Sequence, residues 1–164
     1  MEEQDLRKIK VMVKSLSTGI VTYSLDTRHV RREWSRLGQV IPIPADELQE
    51  ALYDQGTYNL FALGFLGIEN SAQRKLVGLE YEGMGPVIEP FDTAKAKKLL
   101  LEETNLNTFK AKLQELKLGN IEVLIQTACD LKNIDYNKQQ IIKEVLGVDI
   151  LTLVKNSEED NKQK

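Results

Sequence analysis

Apolar and polar residues alternate along Ile9–Lys14, where Ile9, Val11 and Val13 interleave with Lys10, Met12 and Lys14. A period of two places the apolar residues on one face of a strand and the lysines on the other. Ser15–Gly19 interrupts the run. Alternation resumes over Ile20–Leu25, with Val21, Tyr23 and Leu25 on one side and Thr22 and Ser24 on the other. The two runs predict an antiparallel hairpin across Gly19. After a turn at Asp26-Thr27, a third strand over His29–Trp34 sets Val30, Arg32 and Trp34 against His29, Arg31 and Glu33. Val40–Ile43 predicts a fourth strand. Pro42 within it has no N–H, which assigns that strand to an edge or a bulge.

From Pro44 onward the period lengthens. Acids at Asp46 and Glu47 suit the first turn of a helix. Leu48, Ala51 and Leu52 give it an apolar stripe for the sheet, and Gly56 is expected to end it. A further helical turn is predicted over Tyr58–Ala62, a strand over Gly64–Ile68, and a short helix capped by Ser71 and running to Val77. Gly78, Gly83, Gly85 and Pro86 then cluster, and Glu82–Pro90 is read as a linker.

Beyond Asp92 the apolar spacing is helical. Asp92 or Thr93 caps a helix to about Glu102. Asn105 caps one through Leu116, with Leu106, Phe109, Leu113 and Leu116 inward. After Gly119-Asn120, a third carries the stripe Ile121, Leu124, Ile125, Ala128 and Leu131. Asp135 caps a fourth, burying Ile141, Ile142, Val145 and Leu146, and Gly147 stops it. Asp149 caps a last short helix over Ile150–Lys155. The expected fold is therefore α+β: a small N-terminal antiparallel β-sheet with one or two helices, followed by a C-terminal helical bundle. Its parts are residues 1–82, residues 91–155 and a polar tail, 156–164, that lacks apolar residues and is expected to be disordered.

Composition adds less. With 41% hydrophobic and 29% charged residues in 164, the chain reads as a globular protein with no membrane span. Its acidic, polar start predicts no secretory signal. The single Cys129 cannot form an internal disulfide, which suits a reducing compartment. Charge is uneven. Residues 7–36 hold eight basic groups against Asp26 and Glu33, while residues 37–91 hold eight acids against Arg74 and Lys75.

Chemistry is sparse. His29 is the only histidine, and no nucleophile elbow accompanies it, so its default role is a strand-surface side chain. Cys129 adjoins an apolar helix stripe, as a small core residue does. Asp46, Glu47, Glu50 and Asp54 are expected on the solvated side of their helix. Glu80 and Glu82 would share a strand face, but two carboxylates alone make no metal site. Gly64-x-x-Gly67 and Gly83-x-Gly85 match neither a phosphate loop nor a dinucleotide fingerprint. No catalytic, cofactor-binding or metal-binding residue is assigned, and no enzyme activity is expected. The remaining candidate is a basic sheet surface formed by Lys10, Lys14, Arg28 and Arg31, opposite Ile9, Val11 and Val13. It would serve an acidic protein partner or nucleic-acid phosphates, or else be a solvated face partly neutralised by Glu33 and by the acidic helix Asp46–Asp54 packed near it.

Several short runs carry a resemblance: Val13-Lys14-Ser15-Leu16-Ser17, Tyr23-Ser24, Val30-Arg31-Arg32-Glu33-Trp34, Glu47-Leu48, Ala51-Leu52-Tyr53 with Gly56, and later Lys143, Gly147 and Asp149-Ile150. In these the chain resembles small proteins encoded by tailed phages and prophages of Gram-positive bacteria. The resemblance implies a phage product in the virion or the host cytoplasm and transfers no catalytic residue. Where that family has an apolar-Gly-Gly run after the first helix, this chain has Gln55-Gly56-Thr57, which leaves any role of that turn unsupported. A non-enzymatic, virion-associated or host-directed protein acting through protein–protein contacts is the expectation. A nucleic-acid-binding accessory protein is the alternative.

Overall fold

The computed structural model describes the backbone of residues 5–83 and 89–162, with side chains at the C-terminal end described as far as residue 156. The fold is α+β. The chain divides into two compact units, Met1–Phe91 and Asp92–Lys164.

In the first unit, strands β1 (Lys10–Ser15), β2 (Val21–Leu25), β3 (Val30–Trp34) and β4 (Val40–Pro44) precede helices α1 (Ala45–Ala51) and α2 (Gln55–Ala62). A two-residue strand β5 (Leu66–Gly67) and helix α3 (Ser71–Val77) follow. The expected hairpin of the first two strands does not form. β1 lies between β4 and β5 in one antiparallel sheet, and among the described residues β2 pairs only with β3. Alternation identified the strands and their faces, but pairing is a tertiary choice. The Leu16 N–H donates to Phe65 O at 2.8 Å, so the chain continues beside β5 instead of folding back. The tight turn sits one strand later. A short 3-10 turn over Asp26–Arg28 ends at His29 in the left-handed region (φ 52°) and closes the β2–β3 hairpin.

Pro42 is on an edge strand, as its missing N–H requires. The β1–β4 ladder is bounded by Ala45 N–H to Ile9 O (2.9 Å) and Ser15 N–H to Gln39 O (2.8 Å). Hydrogen bonds alternate sides along a strand, so residues 42 and 44 direct their nitrogens away from β1. Both are prolines, and the outer edge of β4 offers almost no donor to a further strand. The opposite edge of β1 is closed differently. Beyond the short β5, the Gln73 side chain of α3 accepts from Met12 N at 3.1 Å and donates to Lys10 O at 3.2 Å.

One face of this sheet is covered. Val11, Val13 and Ile43 pack with Val21 and Trp34 of the hairpin and with Leu48 of α1. Trp34 is wholly buried, and its indole N–H donates to Val13 O at 3.0 Å, tying hairpin to sheet. Gly56 does not terminate a helix. α1 ends at Ala51, and Gly56 lies in the first turn of α2, where Asp54 accepts the Thr57 N–H at 3.0 Å. The first turn lacks i−4 bonds, so glycine costs little there. Asn70, rather than Ser71, caps α3. Gly67 is required by close approach: a Cβ there would lie 2.8 Å from Pro90 Cβ. Pro90 is accordingly buried, unlike a linker residue, whereas 84–88 of the expected linker lie outside the described residues.

The second unit holds α4 (Thr93–Glu102), α5 (Leu106–Gln114), α6 (Leu118–Leu131), α7 (Tyr136–Leu146) and α8 (Ile150–Lys162). Asp92, Asn105 and Asp135 cap their helices by accepting backbone N–H groups, and Gly147 ends α7 at φ 71°. Gly119-Asn120 is not a break. Both are buried residues in the first turn of α6, where the Asn120 carboxamide accepts the Lys117 N–H. The fully buried line of α6 is Val123, Leu124, Thr127 and Ala128, so the expected stripe is rotated and Ile121, Ile125 and Leu131 lie at its margin. Phe109 and Leu113 are buried, but Leu106 is exposed. Of the expected α7 face only Ile142 is fully inside, joined by Lys138. The tail expected to be disordered is helical to Lys162. A helix already nucleated on the buried Ile150 extends over polar residues at little cost.

Candidate functional site

The basic groups of the N-terminal segment meet the acids of α1. Glu47 enters the first turn on the same side as Ala51, four residues on, so it faces inward. Its side chain is 4% exposed. Arg32 grips it with two bonds, Nη2 to Oε1 at 2.6 Å and Nε to Oε2 at 3.0 Å, and the Tyr23 hydroxyl donates to Oε2 at 2.7 Å. Burial opposes ionisation of Glu47, but the bonds from Arg32 and Tyr23 outweigh it and hold the carboxyl below its usual range. Burial first, then the Glu47 bond, pushes the Tyr23 phenol far above its usual value. Beside this group, Arg28 spans Asp46 (2.9 Å) and Glu50, and Thr27 donates to Glu50 at 2.8 Å. The Arg28 bond lowers Asp46, and the bonds from Thr27 and then Arg28 lower Glu50. None of these groups is poised to exchange a proton near neutral pH, as a general acid or base must be. The constellation clamps α1 to the hairpin. It corrects the expectation that Asp46, Glu47 and Glu50 form a solvated face.

The expected single basic surface is divided. Lys10 and Lys14 belong to the β4–β1–β5 sheet, whereas Arg28 and Arg31 belong to the separate β2–β3 hairpin. Arg28 is committed to α1. Arg31 lies 3.3 Å from Glu33 on its own strand, and Lys14 pairs with Glu69 at 3.1 Å. Lys10 is exposed and has no ion-pair partner among the described residues.

The solvent side of β1 and β4 has a different character from that expected. Residues facing each other across the ladder share a face, here Lys10 with Pro44, Met12 with Pro42 and Lys14 with Val40. Met12 is 47% and Val40 49% exposed, and Pro42 is exposed as well. Toward Lys14 the face is covered, because Pro90 and Leu16 close over Gly67. The open part is an apolar strip of Met12, Pro42 and Val40 with Lys10 at its end.

Other candidates resolve structurally. His29 is an exposed turn residue. Burial and the neighbouring Asp130 push the Cys129 thiol up, away from the reactive thiolate. Glu80 does not share a strand face with Glu82. It accepts from Ser71 at 2.7 Å and pairs at 3.2 Å with Arg74, whose guanidinium also donates to Ile68 O and Glu69 O. The ammonium of Lys138 donates to Leu100 O at 2.7 Å over the Phe109 ring, closing the last turn of α4. Among the described residues, no three His, Cys, Asp or Glu side chains group as metal ligands, and no helix is long and apolar enough to cross a membrane. In the second unit an open cleft of ≈ 480 Å³ lies over Leu113, Leu116, Ile121, Val145 and Leu146, with the Lys110–Glu144 pair (3.1 Å) beside it.

Sequence reasoning missed the roles of Glu47, Gln73, Arg74 and Lys138. A signal existed for Glu47: it falls within the apolar stripe of α1, and inward-facing Tyr23 needs a partner for its hydroxyl. Gln73 and Lys138 act on backbone groups of distant elements, which no local pattern announces. No family model, no curated protein and no solved structure matches the chain.

Proposed function

We propose that the protein is non-enzymatic and acts by binding another protein through the solvent side of β1 and β4. The supporting observation is the strip of Met12, Val40 and Pro42, left open on a sheet whose other face is core. Exposed apolar side chains that cluster on a rigid element mark interaction sites more often than scattered ones do. The resemblance in the sequence adds the reading of a phage product, acting in the virion or on a host protein. Nucleic-acid binding is the weaker reading, because Arg28 and Arg32 are spent on α1 carboxylates and are not free to meet phosphates.

The test compares wild-type protein with a Met12→Asp/Val40→Asp variant of matched circular dichroism. Candidate partners captured from a Gram-positive host lysate are identified, purified and retested. Loss of binding in the variant, by about tenfold or more, supports the surface. Equal binding removes it. A shift with generic DNA that weakens steeply with salt would favour the nucleic-acid reading instead.

A further inference from the structure

Resting on that reading, we infer that the open face takes a short extended peptide in which a carboxylate and an apolar side chain stand two residues apart. Three observations carry this. The first is pitch. Lys10 and Met12 project from the same face of β1, about 7 Å apart at the strand repeat. An extended segment laid along β1 has the same repeat, so an acid over Lys10 sets its i+2 side chain over Met12, between Pro42 and Val40.

The second is charge. Lys8, in the turn before β1, and Lys10 and Lys14, on its solvent side, follow one another in sequence. The protein's own carboxylates already meet the two ends of that row, Asp5 at 4.0 Å from Lys8 and Glu69 at 3.1 Å from Lys14. Lys10, between them and next to the apolar strip, is the ammonium left for an incoming carboxylate.

The third is size and access. Three partly exposed side chains present far less than the ~800 Å² per partner of a standard protein interface, too little for a second copy of this chain. Pro42 and Pro44 on one edge and Gln73 on the other close the sheet to strand addition. The segment therefore lies across the face and is read through its side chains.

The experiment uses the full chain, uniformly labelled with 15N, and an end-blocked peptide, Thr-Glu-Thr-Leu-Thr-Ser. The control peptide has Glu and Leu adjacent. The expected result is amide shifts confined to residues 10–14 and 40–43, with affinity at least about fivefold weaker for the control. Lys10→Glu should weaken binding at least about tenfold, and a peptide with Lys in place of Glu should bind Lys10→Glu better than it binds wild type. Shifts elsewhere, equal binding by the control, no binding at millimolar peptide, or failure of the charge exchange overturns the inference. So does a dimer in sedimentation that Met12→Asp dissociates, since the face would then belong to a second copy. If the peptide fails while Met12→Asp/Val40→Asp still loses a captured partner, only the peptide class is wrong. If that variant keeps the partner, the face itself is wrong.

Discussion

At the scale of single residues, Glu47 shows how much one buried carboxylate can organise. A charge with its side chain 4% exposed is tolerated only when paired and hydrogen-bonded, and Arg32 and Tyr23 supply both. Glu47→Gln keeps the shape but leaves Arg32 unpaired, and should cost about 1–3 kcal/mol at pH 7. The linkage has two limbs. Glu47 and Asp46 have folded pKa values below their ordinary 4.5 and 3.8, so their contribution is complete above those values and is lost as pH falls through and below them. Tyr23 has a folded pKa above its ordinary 10.0, so its contribution is complete below pH 10.0 and is lost as pH rises further. Melting temperature against pH should form a plateau that falls at both ends. Glu47→Gln should shallow the acid limb and Tyr23→Phe the alkaline one. Unchanged limbs in both variants would remove this cluster as their source.

At the scale of elements, the first sheet is notable for how its edges are finished. Two prolines blunt β4, and one glutamine side chain stands in for the strand that β5 is too short to provide. Gln73→Met retains the packing volume and removes both bonds to β1. Water can reach the released Met12 N–H and Lys10 C=O at this edge, so the loss should be modest, about 1–2 kcal/mol by chemical denaturation. Amide exchange at Met12 should accelerate more than at Val11 or Val13, whose bonds run to β4. Equal protection at all three would show that Gln73 does not close the edge. The pairing of β2 with β3, against the expectation of a β1–β2 hairpin, belongs to this scale too. Both arrangements keep Val11, Val13, Val21 and Tyr23 inward. Contacts distant in sequence choose between them: the β1–β4 ladder, the Leu16 bond to Phe65 O and the Trp34 bond to Val13 O.

At the scale of the whole molecule, the chain forms two compact units meeting in sequence at Phe91–Asp92. The second has its own buried residues, among them Leu100, Phe109, Leu124 and Ile142, and its own caps at Asp92, Asn105 and Asp135. A fragment covering 92–164 should fold alone with helical circular dichroism and a cooperative melt, though with little margin at its size. A random-coil spectrum for that fragment would mean that its core is completed by the first unit.

What the sequence by itself determined is whatever depends on neighbours within a few residues. It specified the strand faces of β1–β3, an edge or a bulge for Pro42, a cap at Asp92 or Thr93, the caps at Asn105 and Asp135, the stop at Gly147 and the α+β class. Local sterics and side-chain periodicity suffice for these. Tertiary structure alone decided which strands pair, that Glu47 and Lys138 are inside, that among the basic groups it is Arg28 and Arg32 that neutralise the acidic helix, and that the open sheet face is apolar with one lysine beside it. Each of these turns on two groups far apart in the chain competing with water for the same partner, and only the assembled fold places those groups within reach of each other.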